Sequence, residues 1–179
     1  MGCFAPDQTN EELVANVNTA FGTDIDPEEF EKILATTASD MVAVAQSQIG
    51  QTGGQPYWSW YGFSNRVEWC AIFVSWCANQ CGYIDAGIVP KFAGCGVGVQ
   101  WFQNRGQWLP GSATPEPGML IFFQWYGSDS SIADHVGIVE RVENGRVYTI
   151  EGNADDQVRH NSYSIGYGEI KGYGVPVTD

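Results

Sequence analysis

Residues 134–153 read DHVGIVERVENGRVYTIEGN. Apolar residues alternate with polar or small ones on both sides of an Asn-Gly pair, which is the pattern of a β-hairpin. Alternation sends Val136 and Ile138 to one face and His135, Gly137 and Val139 to the other. Gly137 has no side chain, so the face that holds His135 has open space beside it. Two registers are open. A two-residue type I′ turn at Asn144-Gly145 sets His135 opposite Ala154 and turns Glu151 and Asn153 away from it. A three-residue loop, Glu143-Asn144-Gly145 with Gly145 left-handed in a G1 bulge, sets His135 opposite Asn153 and Gly137 opposite Glu151, all on one face. A site built on His135 requires the second register, and a two-residue turn serves only if a bulge compensates for it.

Working outward, "GMLIFFQW" precedes the hairpin, and "VRHNSYSI" and "EIKGYGVPV" follow it, each a short β-rich run bounded by turn residues. Upstream the period becomes helical. "EWCAIFVSWC", residues 68–77, opens a helix expected from Cys70 to Cys81 with Gly82 as its stop. "SDMVAVAQSQIG" predicts a helix from Ser39 to Gly50, and "QTGGQPYWSWYGFSNRVE" between the two is expected to be a loop. Residues 83–117 look irregular, with one short helix near "GVGVQWFQNRG". The first forty residues predict helix, turn, helix, with Thr9 as a cap and Pro27 at a first helical position. Helices followed by strands with short connections predict an α+β domain, helices packed on a mostly antiparallel sheet of about five to six strands. The expected division is an acidic helical extension over residues 1–40 and one α+β domain over 41–179.

Charge narrows the partners. The net charge is −13, and residues 1–40 hold nine acids and one lysine. No basic cluster exists to meet phosphates, so nucleic acid is excluded as a partner. No apolar run approaches the ~20 residues of a membrane span. The N-terminus lacks a basic region followed by an apolar one, so no signal peptide is expected in this chain. A monomer is expected.

Five cysteines, at positions 3, 70, 77, 81 and 95, cannot all pair within one chain. Cys70, Phe73, Val74, Cys77 and Cys81 form one helical stripe, most of which must be core. Cys70 stands apart because it begins the helix, where unpaired N–H groups and the macrodipole favour a thiolate. Cys77 lies roughly 10 Å deeper at ~1.5 Å rise per residue, beyond that field. A thiol nucleophile needs a base and a group to orient the base. His135, flanked by Glu151 and Asn153 in the second register, supplies both; His160 sits in a polar run and is expected at the surface.

With Cys70 on a helix start, His135 on a strand and "EGN" on its partner, the chain resembles the CHAP family of cysteine- and histidine-dependent amidohydrolases and peptidases. "EWCAIFVSWC", "PEPGMLIFF", "DHVGIVE" and "YTIEGN" carry the resemblance, across roughly residues 41–176. It implies a papain-like fold, Cys70 as nucleophile, His135 as base, Glu151 as the orienting acid and Asn153 as a further polar member. It also implies a substrate, the amide bonds of bacterial peptidoglycan, and an extracellular or cell-wall location, with phage or mobile-element origin possible. Some phage members carry an acidic calcium loop before the cysteine; here only Glu68 stands there, so no metal or other cofactor is expected. Met119 stands where many members have Asp. Among the aromatic residues ahead of the nucleophile, Tyr57, Trp58 and Trp69 are candidates to bind substrate.

Three other readings compete: a non-catalytic wall-binding module, an amidase acting on a small peptide or polyamine conjugate, and a zinc site. The last fits poorly, since Cys70 and Cys81 would stand ~16 Å apart along the helix. A Cys81–Cys95 bridge is compatible with an oxidising compartment.

Overall fold

The computed structural model describes residues 40–126 and 133–177, together with Ala15, Asn18, Thr19, Asp24, Asp26 and Glu28 as isolated positions. The helices expected before residue 40, the extent of the acidic extension, and Cys3 lie outside these residues. Helices α1 (residues 40–47), α2 (Gln55–Tyr61), α3 (Cys70–Gln80) and α4 (Cys95–Asn104) precede all the strands. The strands are β1 (Trp108–Pro110), β2 (Leu120–Phe123), β3 (His135–Glu143), β4 (Arg146–Ala154), β5 (Gln157–Ser164) and β6 (Ile170–Gly174). They form one six-stranded sheet in the order β1-β6-β2-β3-β4-β5, with every neighbouring pair antiparallel. The α+β expectation holds. Among the described residues no helix is long and apolar enough to cross a membrane.

Apolar residues cover both faces of the sheet. Leu120, Phe122, Val136, Ile138 and Ile150 face the helices, while Ile121, Phe123, Val139, Val147 and Tyr173 pack on the opposite side. That split is the period-2 rule at work: β2 reads LIFF, buried at all four positions, because it serves two cores. Helix α3 lies against β3, β4 and α2. The sequence stripe implies one buried face, but Cys70 through Ser75, with Cys77 and Ala78, are all buried. A helix apolar around its circumference belongs at the centre of a domain.

Two elements depart from expectation. The stretch expected as a loop after Gly50 contains α2, with Pro56 in its first turn and Gly62 ending it. Its seven residues could not hold a helix by propensity alone. Tyr57 anchors it, stacked on Trp69 with centroids 5.4 Å apart and edge-on to Phe73 and Trp76. Between residues 83 and 117 the expected short helix is present as α4, and the short edge strand β1 is the unexpected element.

The hairpin resolves the register question by a two-residue turn with a compensating bulge. Asn144 and Gly145 both have positive φ, 51° and 72°, and Glu143 pairs directly with Arg146. The turn is therefore the two-residue type, not the three-residue G1 loop. Arg141↔Tyr148 keeps that register, but Val139 pairs with Thr149 and Ile138 with Ile150. Glu140 is the extra residue of a β-bulge, held by Gln46 at 2.9 Å and His160 at 3.1 Å. The bulge restores the register that carries Gly137 to Glu151.

Gly137 shows why that matters. A Cβ built there would lie 2.6 Å from Glu151 Cγ. The missing side chain is the space through which Glu151 reaches His135. Gly137→Ala should displace the carboxylate from His135 and lower the melting temperature by an amount equivalent to about 1–3 kcal/mol of overpacking. A variant with wild-type melting would show that the contact relaxes harmlessly.

Candidate active site

Three elements converge on Cys70. It is the first residue of α3 and is 6% exposed. The first intrahelical bond runs from Phe73 N–H to Trp69 O at 2.8 Å, so the N–H groups ahead of it stay available to an anion. His135 begins β3, and its imidazole lies near enough to the Cys70 thiol for each group to shift the other's pKa. Glu151 on β4 binds His135 Nε2 at 2.8 Å, which leaves Nδ1 as the ring nitrogen for the sulfur.

Glu151 is 1% exposed, yet well satisfied. Its oxygens accept hydrogen bonds from Thr149 Oγ1 at 2.6 Å, Asn161 Nδ2 at 2.9 Å and the Tyr163 hydroxyl at 2.9 Å, in addition to His135. Burial alone would raise its pKa; His135, Thr149 and Asn161 outweigh that and hold it below the usual carboxylate value. The strand period explains the grouping. Thr149 is two residues from Glu151 on the same face, and Asn161 is its partner on β5.

The same balance sets the other two groups. Burial pulls the His135 pKa down, but Cys70 and Glu151 together push it up to about 10. Cys70 is held well below the ordinary thiol range, first by a hydrogen bond from Cys95, against desolvation, and then by His135 and the Ala71 N–H. Both shifts favour a thiolate on Cys70 facing a protonated His135. The remaining thiols go the other way: burial raises Cys77 well above its usual value and Cys81 to about 11.

Cys95 is the neighbour that sequence reasoning missed. It opens α4, and its Sγ lies 3.8 Å from Cys70 Sγ. It is therefore placed against Cys70 and not against Cys81, and all four described cysteines are free. The only available signal was its position before an amphipathic run, and nothing in the chain tells which helix start it meets.

The other expected site residues divide. Asn153 does not reach His135. Its φ of 58° breaks the strand alternation, and its side chain donates to Glu68 and accepts from Arg66 at 3.4 Å. With Arg66–Asp156 at 2.7 Å it ties the segment before Cys70 to the β4–β5 turn. Tyr57 and Trp69, expected against substrate, have no exposed surface at all; they are core, because their rings carry α2 onto α3. Trp58 stays partly exposed, with Nε1 donating to Gly53 O at 3.0 Å. His160 is a surface residue bonded to Glu140. Among the described residues no group of three or more His, Cys, Asp or Glu is placed to hold a metal.

Known structures share the architecture. The crystal structure of Ly7917 superposes with a TM-score of 0.51 at 17% identity, over 78% of this chain and 62% of that one. Ly7917 has also been solved with the hydrolysing product of MDP, with the same scores. A protein similar to lipoprotein, of the NLP/P60 family from Staphylococcus aureus subsp. aureus Mu50, is 16% identical, with a TM-score of 0.47 over 94% of this chain and 50% of that one. The chain spans less than two thirds of the length of Ly7917. No curated protein matches it. The CHAP domain model matches residues 60–153, just over half of the chain, from α2 through the end of the Glu151 segment. With that match and a papain-like α+β fold around Cys70 and His135, the chain belongs to the CHAP family.

Proposed function

We propose that this protein is a cysteine hydrolase of bacterial peptidoglycan, cleaving either the muramoyl–L-alanine amide or an amide within the peptide stem or bridge. The observation that carries this is the buried relay Cys70–His135–Glu151 with its sulfur at a helix N-terminus. Membership in the CHAP family supports the substrate class, as does Ly7917, solved with a hydrolysis product of MDP.

The Cys70 thiolate attacks the amide carbonyl, and first-turn N–H groups of α3 stabilise the oxyanion. The His135 imidazolium gives its proton to the departing amine, then takes one from the water that releases the acyl-enzyme. Glu151 holds the ring through Nε2 and stabilises its charge. Asn153 acts at a distance, bracing the segment that leads into Cys70. Trp58 is the aromatic residue positioned to line a groove. A wall substrate places the work outside the cytoplasmic membrane.

Digestion of purified sacculi followed by mass spectrometry of the released muropeptides tests this. New amino groups on L-alanine identify an amidase, and shortened stems identify an endopeptidase. Sedimentation of the protein with sacculi and no new amine would instead establish a wall-binding module.

A further inference from the structure

Cys95 hydrogen-bonds Cys70 but transfers no proton in the relay, and it is the described thiol closest to the nucleophile. The two sulfurs are 3.8 Å apart, on the first residues of two different helices. Cys95 is 7% exposed, and its approach is built in. Ser75 Oγ donates to Phe92 O at 2.8 Å and accepts from Phe92 N–H at 2.9 Å, tying α3 to the segment that leads into Cys95. Gly98, one turn into α4, lets Phe92 pack where a Cβ would clash at 2.7 Å. Cys77 lies roughly 10 Å along α3, too far to substitute.

We propose that Cys70 and Cys95 form a peroxide-reactive modification site, in which a hydroperoxide oxidises Cys70 and Cys95 resolves it as a Cys70–Cys95 disulfide. The proposal uses the thiolate assigned to Cys70 in the proposed function. In the first step that thiolate attacks one peroxide oxygen, the O–O bond breaks, and hydroxide leaves Cys70 as a sulfenic acid. In the second step the Cys95 sulfur attacks the sulfenic sulfur; the S–O bond breaks and the Cys95 proton leaves with the oxygen as water. Overall each sulfur is oxidised by one electron, and those two electrons reduce the two peroxide oxygens to the level of water. Closing the sulfurs to about 2.05 Å requires movement on the scale of side-chain rotation. A small dithiol reverses the product and is itself oxidised. The nucleophile is thereby held in a recoverable form instead of proceeding to sulfinic acid.

The full-length protein, reduced and then treated with graded hydrogen peroxide, should be alkylated with iodoacetamide and mapped without reduction. The expected product is a cross-linked peptide pair containing Cys70 and Cys95, about 2 Da lighter than the dithiol, restored by dithiothreitol. In Cys95→Ser, Cys70 should instead reach the sulfinic acid, about 32 Da heavier, at doses where the parent stops at the disulfide. Sulfinic Cys70 beside alkylated Cys95 in the parent at every dose would overturn the proposal, as would a cross-link from Cys70 to Cys3. If the variant does not fold, the parent map decides alone. The readout is chemical, so a protein that forms the disulfide but releases no muropeptide refutes the wall-hydrolase reading and leaves this one standing.

Discussion

Replacing Cys70 by Ala should lower the digestion of purified walls by at least about a thousandfold, with the fold retained. The loss is large because the proposed mechanism uses the sulfur both as the nucleophile and as the anion that faces His135. The fold survives because Ala is a better helix former than Cys and the position lies at the helix end. Circular dichroism and muropeptide release, measured on the same preparation, separate the two effects. Cys77→Ala is the matching control: its thiol is fully buried and kept protonated, so it should cost stability, about 1 kcal/mol, and little turnover. Full activity in Cys70→Ala would remove the nucleophile from the scheme.

Glu151→Gln should be nearly as damaging to turnover, by about 10²–10⁴-fold in kcat/KM. Glutamine keeps the shape but replaces one acceptor oxygen by an NH₂ group, while His135, Thr149, Asn161 and Tyr163 all donate to this carboxylate. At least one buried donor then faces another donor, at a cost of about 1–3 kcal/mol. The pH profile separates catalysis from packing. In the parent, the imidazolium survives until the pH passes about 10, where activity should fall. Without the carboxylate that limb should move down toward the ordinary imidazole value of 6.5. Stability follows the same signs. The raised His135 pKa stabilises the fold fully below 6.5 and loses that contribution as pH rises through about 10. The lowered Glu151 pKa stabilises it above 4.5 and loses that contribution as pH falls through the depressed value. An alkaline limb unmoved by the substitution would show that Glu151 does not set the charge of His135.

Much of this molecule is legible along the chain because strong local patterns agree with the final packing. Strands β2 to β6 and the helix beginning at Cys70 follow from alternation, caps and the helix terminus. Short elements are where local reading failed. α2 is stabilised by Tyr57 on Trp69 and β1 by pairing with β6, contacts made across the sequence. The aromatic residues before the nucleophile were misjudged for the same reason: Tyr57 and Trp69 look the same in a groove or in a core until their partners are known.

The site shows the divide most sharply. Residue type and order pointed to Cys70 and His135 and left Glu151 or Asn153 to orient the ring; only the resemblance to the CHAP family assigned that part to Glu151. They could not supply the bulge at Glu140 that brings Glu151 to His135 after a two-residue turn, nor the left-handed Asn153 that leaves the site. Nor could they set Cys95 against Cys70 or gather Asn161 and Tyr163 around Glu151. Local preferences act over a few residues, whereas these juxtapositions depend on which sheet edge and which helix end the whole chain brings together.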